Sequence, residues 1–392
     1  MDFDFCVENK GASIAGNKMQ LSIIKGLQSK CNNVMDVVSI TPTAPFPVVK
    51  RILVNYRKKN ISNGIRTVLI PFVNIPYIKQ VTQILNTILF SMHWGIKNRN
   101  TSNKIVYCYN YHPHISIPSI ILKKVFKCKI ICLLADPLID LNCRQGIQKT
   151  IWNAMEKISE INLKAFDGIV AVNKNSVEKY AKSIPYIVVE GGVDYENVSK
   201  ENQKIQKKES DSKVILFAGA LYEYNGIRTL IQAIKLINEK SISLHIYGDG
   251  PLRDYVLLEA KEDHRIVYKG LVSNEVVVKA QKEADILANP RPTTEMISLY
   301  TFPSKLLEYM TSGTPVITTK LNGITDDYFP YLFIVENESA QCLASMIKHV
   351  ISIDQTQLND FGEDAKNFII NNKNWNIQCT RIHEFSLSLF EK

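Results

Sequence analysis

Apolar runs and amphipathic stretches alternate along most of this chain. Six short runs rich in β-branched and aromatic residues occupy the first half: VMDVVSI (34–40), IRTVLIPF (65–72), KIVYCYN (104–110), KIICLLA (129–135), DGIVAV (167–172) and YIVVEGG (186–192). Between them lie stretches of helical period such as Asn17–Lys30, where Met19, Ile23, Ile24 and Leu27 fall on one face. A second series starts at VILFAG (214–219). It continues through SLHIYGDG (243–250), RIVYKG (265–270), ADILANP (284–290), TPVITT (314–319) and YLFIVE (331–336). Near-continuous apolar strands separated by helices predict an α/β architecture of parallel sheets covered on both faces.

The polar segment 199–213 (SKENQKIQKKESDSK) has no apolar period and reads as a linker between two such domains, 1–198 and 214–374. The last stretch, 375–392, is helical in pattern with no strand after it, and can cross back to the first domain or stay with the second. Open parallel sheets bind ligands beyond the carboxyl ends of their strands, so two Rossmann-like domains would hold a substrate in a central cleft. The opening residues MDFDFCVENK alternate Asp2 and Asp4 with Phe3 and Phe5. They leave two readings open: an unusually polar first strand, or a first domain short of that strand.

At 392 residues, 45% apolar and 22% charged, the chain has ample material for two cores. No run approaches the roughly 18 apolar residues of a membrane span, and the N-terminus lacks a secretory signal pattern. A cytoplasmic protein is therefore expected. The eight cysteines form no CxxC pair and no zinc spacing with histidine, so reduced, mostly buried thiols and no metal or cofactor are expected. No GxGxxG follows a strand as a dinucleotide dehydrogenase requires.

Charge changes this picture. Residues 1–200 hold 26 Lys and Arg against 13 Asp and Glu, whereas the remainder holds 21 against 25. From Arg51 to Arg99 there are eight basic residues and no acidic one. The first half is thus suited to an anionic surface, where without a nucleic-acid motif a membrane leaflet is the better partner, or it is simply a well-solvated basic face with no partner. Pro76–Lys97 joins an apolar face to Trp94 and flanking lysines. It either lies on such a membrane or packs its apolar face on the sheet.

The richest chemistry falls in 289–319, NPRPTTEMISLYTFPSKLLEYMTSGTPVITT. The strand ends at Pro290, a loop follows, and a helix is predicted to open near Pro303 and run to Gly313. Its opening, Ser304–Lys305, offers backbone N–H groups, a hydroxyl and an ammonium, which together make a diphosphate seat. Glu308 shares their face by three- and four-residue spacing and can accept hydrogen bonds from a pair of ribose hydroxyls. The plain alternative is a solvated surface pair.

This segment resembles the donor-site signature of retaining glycosyltransferases of family 4, which have the GT-B fold. In that family a glutamate before a hydrophobic-x-small-x-Gly-x-Pro-Val run holds the donor ribose, and Glu308 with Tyr309–Val316 matches. VILFAGALYEYNGIRTLIQAI resembles the first strand, loop and helix of the donor domain, LHIYGDGPL its second strand and turn, and IVYKGLVSNEVV the strand beside the base. GGVD (191–194) resembles the end of the acceptor domain. The string Phe302-Pro303-Ser304-Lys305, with Asn289-Pro290-Arg291, is similar to a subgroup found among bacterial surface-polysaccharide transferases. Ala12–Lys18 resembles the acceptor domain's glycine loop, which implies that Gly16 and Asn17 approach donor phosphates and acceptor. The likeness covers roughly residues 11–390 and is stronger after Lys213.

Two departures stand out. The family's second glutamate, eight positions before the first, is Tyr300 here, and Glu295, the nearest acidic residue upstream, is the candidate to reach the sugar hydroxyls instead. The Arg and Lys that the family places in the first donor-domain loop are Ala220 and Asn225. The resemblance then implies that Lys305, Arg291 and the helix N-terminus meet the departing phosphate. Asp136, at the end of KIICLLADP, can orient an acceptor hydroxyl or cap a helix. His112 and His114 can touch substrate or serve structure.

What the resemblance implies is transfer of a hexose-like sugar from a nucleotide-sugar donor to a saccharide or lipid-linked saccharide, with retention. The setting it implies is surface-polysaccharide synthesis on the cytoplasmic face of the cell membrane. Positioning and charge neutralisation would carry the rate, and no glycosidase-like carboxylate pair marks a nucleophile. Two alternatives stand beside it: a nucleotide-sugar epimerase, and a non-catalytic GT-B relative acting as a partner protein.

Overall fold

A computed structural model describes residues 14–31, 34–62, 64–135, 145–194 and 212–391. They divide into two units, Met1–Glu190 with Trp375–Lys392, and Gly191–Asn374. The opening residues, Asp136 and residues 199–211 of the expected linker lie outside the described residues.

In chain order the first unit runs α1 (Ile14–Gln28), β1 (Met35–Ser39), β2 (Leu53–Val54), β3 (Arg57–Ser62), β4 (Ile65–Leu69), β5 (Phe72–Val73), α2 (Ile78–Lys97), β6 (Ile105–Tyr109), α3 (Pro113–Phe126), β7 (Lys129–Leu134), α4 (Gly146–Leu163), β8 (Gly168–Ala171), α5 (Lys174–Tyr180) and β9 (Tyr186–Val188). Strands β6-β7-β8-β9 form a parallel sheet. Its central strand β7 shows why the apolar run is continuous. Ile130, Cys132 and Leu134 pack into one core with Leu163 and Val177 of the helices on that face. Ile131 and Leu133 point the other way, into a core with Ile23 and Leu27 of α1.

A second sheet, β1-β4-β3, pairs β1 with β4 in parallel and β3 with β4 antiparallel. Strand β3, RKKNIS, carries no apolar alternation and was not foreseen. It is an edge strand, where exposed lysines discourage further pairing. The run IRTVLIPF, expected as one strand, divides into β4 and β5 around Pro71, which has no N–H for a ladder.

Helix α2 is turned opposite to the packing expected of an amphipathic helix. Its buried residues are Gln83, Thr87, Ser91 and Gly95. A Cβ on Gly95 would stand 2.3 Å from the Phe126 ring of α3, so the two helices meet at a glycine. Ile78, Val81, Leu85, Leu89 and Ile96 are exposed. The alternative in which this helix buries its apolar face on the sheet is overturned. Among the described residues no helix is long and apolar enough to cross a membrane.

The second unit runs β10 (Lys213–Ala218), α6 (Ile227–Lys235), β11 (Ile242–Tyr247), α7 (Arg253–Glu262), β12 (Ile266–Gly270), α8 (Asn274–Glu283), β13 (Ile286–Asn289), α9 (Met296–Tyr300), α10 (Lys305–Thr311), β14 (Val316–Thr319), β15 (Phe333–Val335), α11 (Ala340–Ser352) and α12 (Gln355–Asn372). Helix α6 buries Ile227, Leu230, Ile231 and Ile234, a three- and four-residue stripe that covers Ile215 and Phe217 of β10 and Leu244 of β11. All six strands are parallel, in the order β12-β11-β10-β13-β14-β15. Counted from β10 this is 3-2-1-4-5-6, whose order reverses between β10 and β13 and opens a ligand crevice beyond their carboxyl ends.

The last helix, α13 (Trp375–Ser388), returns to the first unit. Its Cys379 and Ile382 pack with Ile23 and Leu27 of α1, and Tyr107 on β6 donates to Ser386 at 2.8 Å.

Candidate functional site

The two loops that flank the switch point of the second unit are tied together. After β10 the chain makes a short turn, Glu223–Asn225, and enters α6 through Gly226 at φ 73°. A Cβ on Gly226 would lie 1.8 Å from the Pro290 carbonyl oxygen, so only glycine permits this approach. After β13, the Thr319 hydroxyl donates to the Arg291 carbonyl, and the Thr293 N–H donates to Glu338 at 2.8 Å. The Arg291 backbone is thereby fixed and its side chain is aimed at the first loop.

There the guanidinium Nη2 donates to Asn225 Oδ1 at 3.1 Å, while Asn225 Nδ2 donates to the Ala220 carbonyl at 2.7 Å. Nη1 lies 3.5 Å from the Thr301 hydroxyl, and Nε is buried without a partner. Among the described residues no carboxylate pairs with Arg291. Burial pulls its pKa below the ordinary arginine value, with Tyr224 opposing weakly. Tyr222 and Tyr224 in the first loop stack at 5.1 Å.

The loop expected from Pro290 to Pro303 contains α9, because MISLY offers five residues free of Pro and Gly. Helix α10 starts at Lys305 with exposed Ser304 as its N-cap, at the expected opening near Pro303. What anchors α10 is Tyr309. Its fully buried hydroxyl accepts the Ala218 N–H at 2.7 Å and donates to the Ala218 carbonyl at 3.1 Å, pinning the helix to the carboxyl end of β10.

One residue earlier, the half-buried Glu308 carboxylate accepts from Lys305 Nζ at both oxygens, 3.0 and 2.9 Å. It also accepts from Gln281 Nε2 at 3.2 Å. Gln281 on α8 is fully buried, and its backbone carbonyl accepts from the Thr314 hydroxyl at 2.8 Å. Thus Glu308 is oriented from two sides, and the Lys305 ammonium is engaged with it.

The structure therefore joins Lys305 to Glu308 and Arg291 to Asn225, with both pairs reaching β10's carboxyl end through Ala218 and Ala220. Glu295 is exposed at the N-cap of α9, where its carbonyl accepts from Ser298 and Leu299. Tyr300 closes that helix. Gly16 and Asn17 lie in the first turn of α1 in the first unit. Asp136 lies outside the described residues. His112 N-caps α3 and stacks on His114 at 5.5 Å, and burial lowers both pKa values, that of His114 to about 3. Asn225, Gln281 and Tyr309 were not foreseen as site residues. Only Asn225 had a signal, as a departure from the family pattern.

Residues 212–352 match the family model described as glycosyl transferases group 1. An uncharacterized glycosyltransferase of Methanocaldococcus jannaschii is 32% identical over 123 residues, 30% of this chain and 30% of its own length. The chain thus matches less than a third of that curated relative. Among solved structures, a glycosyltransferase from Rickettsia africae superposes with a TM-score of 0.67 at 17% identity, over 97% of both chains. Anabaena HepE in complex with UDP and glucose gives 0.61 at 15% identity, over 96% of this chain and 97% of that one. The fold is GT-B, with two Rossmann-like units.

Proposed function

We propose that this chain, whose second unit matches the group 1 glycosyltransferase family on a GT-B fold, transfers a sugar from a nucleotide-sugar donor to a saccharide or lipid-linked saccharide. One observation carries the reading. A desolvated arginine without a counter-charge among the described residues stands at the switch-point crevice, where this sheet order places a nucleotide's phosphates. In this reading Arg291 meets the diphosphate with Ser304, and Glu308 takes the ribose hydroxyls in the orientation set by Gln281 and Lys305. As the bond from the anomeric carbon to the diphosphate oxygen breaks, charge collects on that oxygen. The acceptor hydroxyl supplies the new bond, and its proton passes to the departing diphosphate oxygen. A fixed guanidinium facing the departing charge lowers the barrier without reorganising.

The absence of the family's cations at Ala220 and Asn225 is the feature that suits a non-catalytic relative. Arg291, held by Asn225, offsets that absence and favours the enzyme. UDP is the first nucleotide to test, because HepE binds it. Transfer of a hexose with retention, a role in surface polysaccharide, and parts for Gly16 and Asn17 are supported by the resemblance alone; the part for Asp136 is supported by its place at a strand's carboxyl end, and that for Glu295 by its being the nearest acidic residue upstream of Glu308's helix. The basic first unit supports work at an anionic membrane face.

Calorimetric titration with UDP and GDP, repeated for Arg291→Ala and Glu308→Ala, tests the reading. It expects saturable binding of one nucleotide, weakened by both substitutions. Binding that neither substitution alters would remove the site from this crevice.

A further inference from the structure

Helix α2 spends its small and polar residues on the protein and its large apolar ones on the surface. By the 3.6-residue turn, Ile78, Val81, Leu85, Leu89 and Ile96 lie within about 80° of the helix circumference. All are exposed, Leu89 by 66% and Leu85 by 56%. A single exposed leucine needs no explanation, but an aligned row along a 20-residue helix is a docking face.

Charge says what covers it. Between Asp36 and Asp136 the sequence has no acidic residue and fourteen lysines and arginines. Asp36 itself is neutralised by Arg66, which pairs with both its oxygens at 2.7 and 2.9 Å, and it accepts from Trp94 of α2 at 3.1 Å. Beside the helix, Tyr56 stacks on Phe90 at 5.6 Å. That contact brings β3 alongside, with Arg57, Lys58 and Lys59 exposed. Lys97 and Arg99 are exposed at the helix's C-terminal end. Arg57, Lys58, Lys59, Lys97 and Arg99 pair with no carboxylate among the described residues, and an apolar row on the same unit as these exposed cations complements a bilayer that has anionic headgroups above acyl chains.

We infer that α2 is a membrane-docking helix that lies in the plane of an anionic lipid surface with Ile78, Val81, Leu85, Leu89 and Ile96 toward the acyl chains. The inference rests on the reading that the first unit meets an anionic membrane, and it names the element responsible.

The test is flotation of the full chain with phosphatidylcholine vesicles, with and without phosphatidylglycerol, at low salt. Wild type is compared with Leu85→Ser/Leu89→Ser and with Lys58→Gln/Lys59→Gln. Because all four residues are exposed, circular dichroism should match wild type in both variants. The expected result is binding that requires phosphatidylglycerol and falls about tenfold to a hundredfold in the leucine variant. The lysine variant should bind less, and its binding should depend less on salt. Binding by wild type that the leucine variant retains in full would overturn the role of α2 and leave the membrane reading standing. No binding by wild type would overturn both. A wild-type dimer in sedimentation velocity that the leucine variant dissolves, without vesicle binding, would assign the face to a second copy instead.

Discussion

Arg291 and Asn225 close the switch point from opposite sides: a guanidinium from the loop after β13 rests 3.1 Å from an amide oxygen in the loop after β10. An amide satisfies one donor but supplies no charge. Burying a cation without a counter-ion costs stability, and replacing such a group by an apolar residue is often neutral or favourable. Arg291→Met should therefore leave the nucleotide-free protein as stable as wild type, or more stable by up to about 1 kcal/mol. In the same variant UDP affinity should fall about tenfold to a hundredfold, the range of charge-assisted hydrogen bonds. Arg291→Lys should not restore it, because an ammonium cannot hold Asn225 and phosphate together. Denaturant unfolding and calorimetry on the same preparations decide the matter. Lost stability together with unchanged UDP binding would make Arg291 a structural residue.

Glu308 should discriminate by ligand. If it holds ribose hydroxyls, Glu308→Gln weakens UDP by about tenfold while inorganic pyrophosphate binds as before. Its ion pair with Lys305 is partly exposed, at 29% and 39%, so removing it should cost under about 1 kcal/mol of stability. Equal losses for UDP and pyrophosphate would move Glu308 away from the ribose.

The sheets were legible because their strands are buried on both faces and read as unbroken apolar runs; β7 and β10 are the clearest. Strand β3 was not legible, since an edge strand of lysines has no pattern to find. The orientation of α2 was not legible either. Periodicity locates an apolar stripe but does not say whether it faces core or solvent, and here the inward face is made of Gln83, Thr87, Ser91 and Gly95. In the site, Glu308 and Lys305 stood out through a local motif. Asn225 and Gln281 act across 66 and 27 residues of sequence, through contacts that only the fold creates.

Tyr309 offers a test of how α10 is held. Its hydroxyl both accepts from and donates to Ala218 inside the core. Tyr309→Phe leaves the ring in place but strips the partner from a buried N–H and a buried carbonyl. The expected cost is about 1–3 kcal/mol in urea unfolding. Because Glu308 is the neighbouring residue, UDP affinity should also fall, while the Arg291→Met effect stays about as large in the double variant. Unchanged UDP affinity in Tyr309→Phe would separate Tyr309 from the site.

His114 gives the first unit an acid sensitivity. Burial is the main cause of its depressed pKa, with repulsion from His112 and Lys79 adding to it, and the folded value is about 3 against 6.5 in the unfolded chain. Below pH 6.5 the unfolded chain takes up a proton that the folded one refuses, so stability is fully present above 6.5 and is lost as the pH falls toward 3. Between pH 7 and pH 5 the loss from this one group is about 2 kcal/mol. His112, also lowered by burial, adds a smaller loss of the same sign. His114→Gln cannot take up that proton. Urea unfolding at pH 7 and pH 5 should therefore show a smaller acid loss in the variant than in wild type, by about that amount, because the carboxylates contribute equally to both. If the two proteins lose the same stability, His114 is protonated in the folded state, and the stacked pair must open to water.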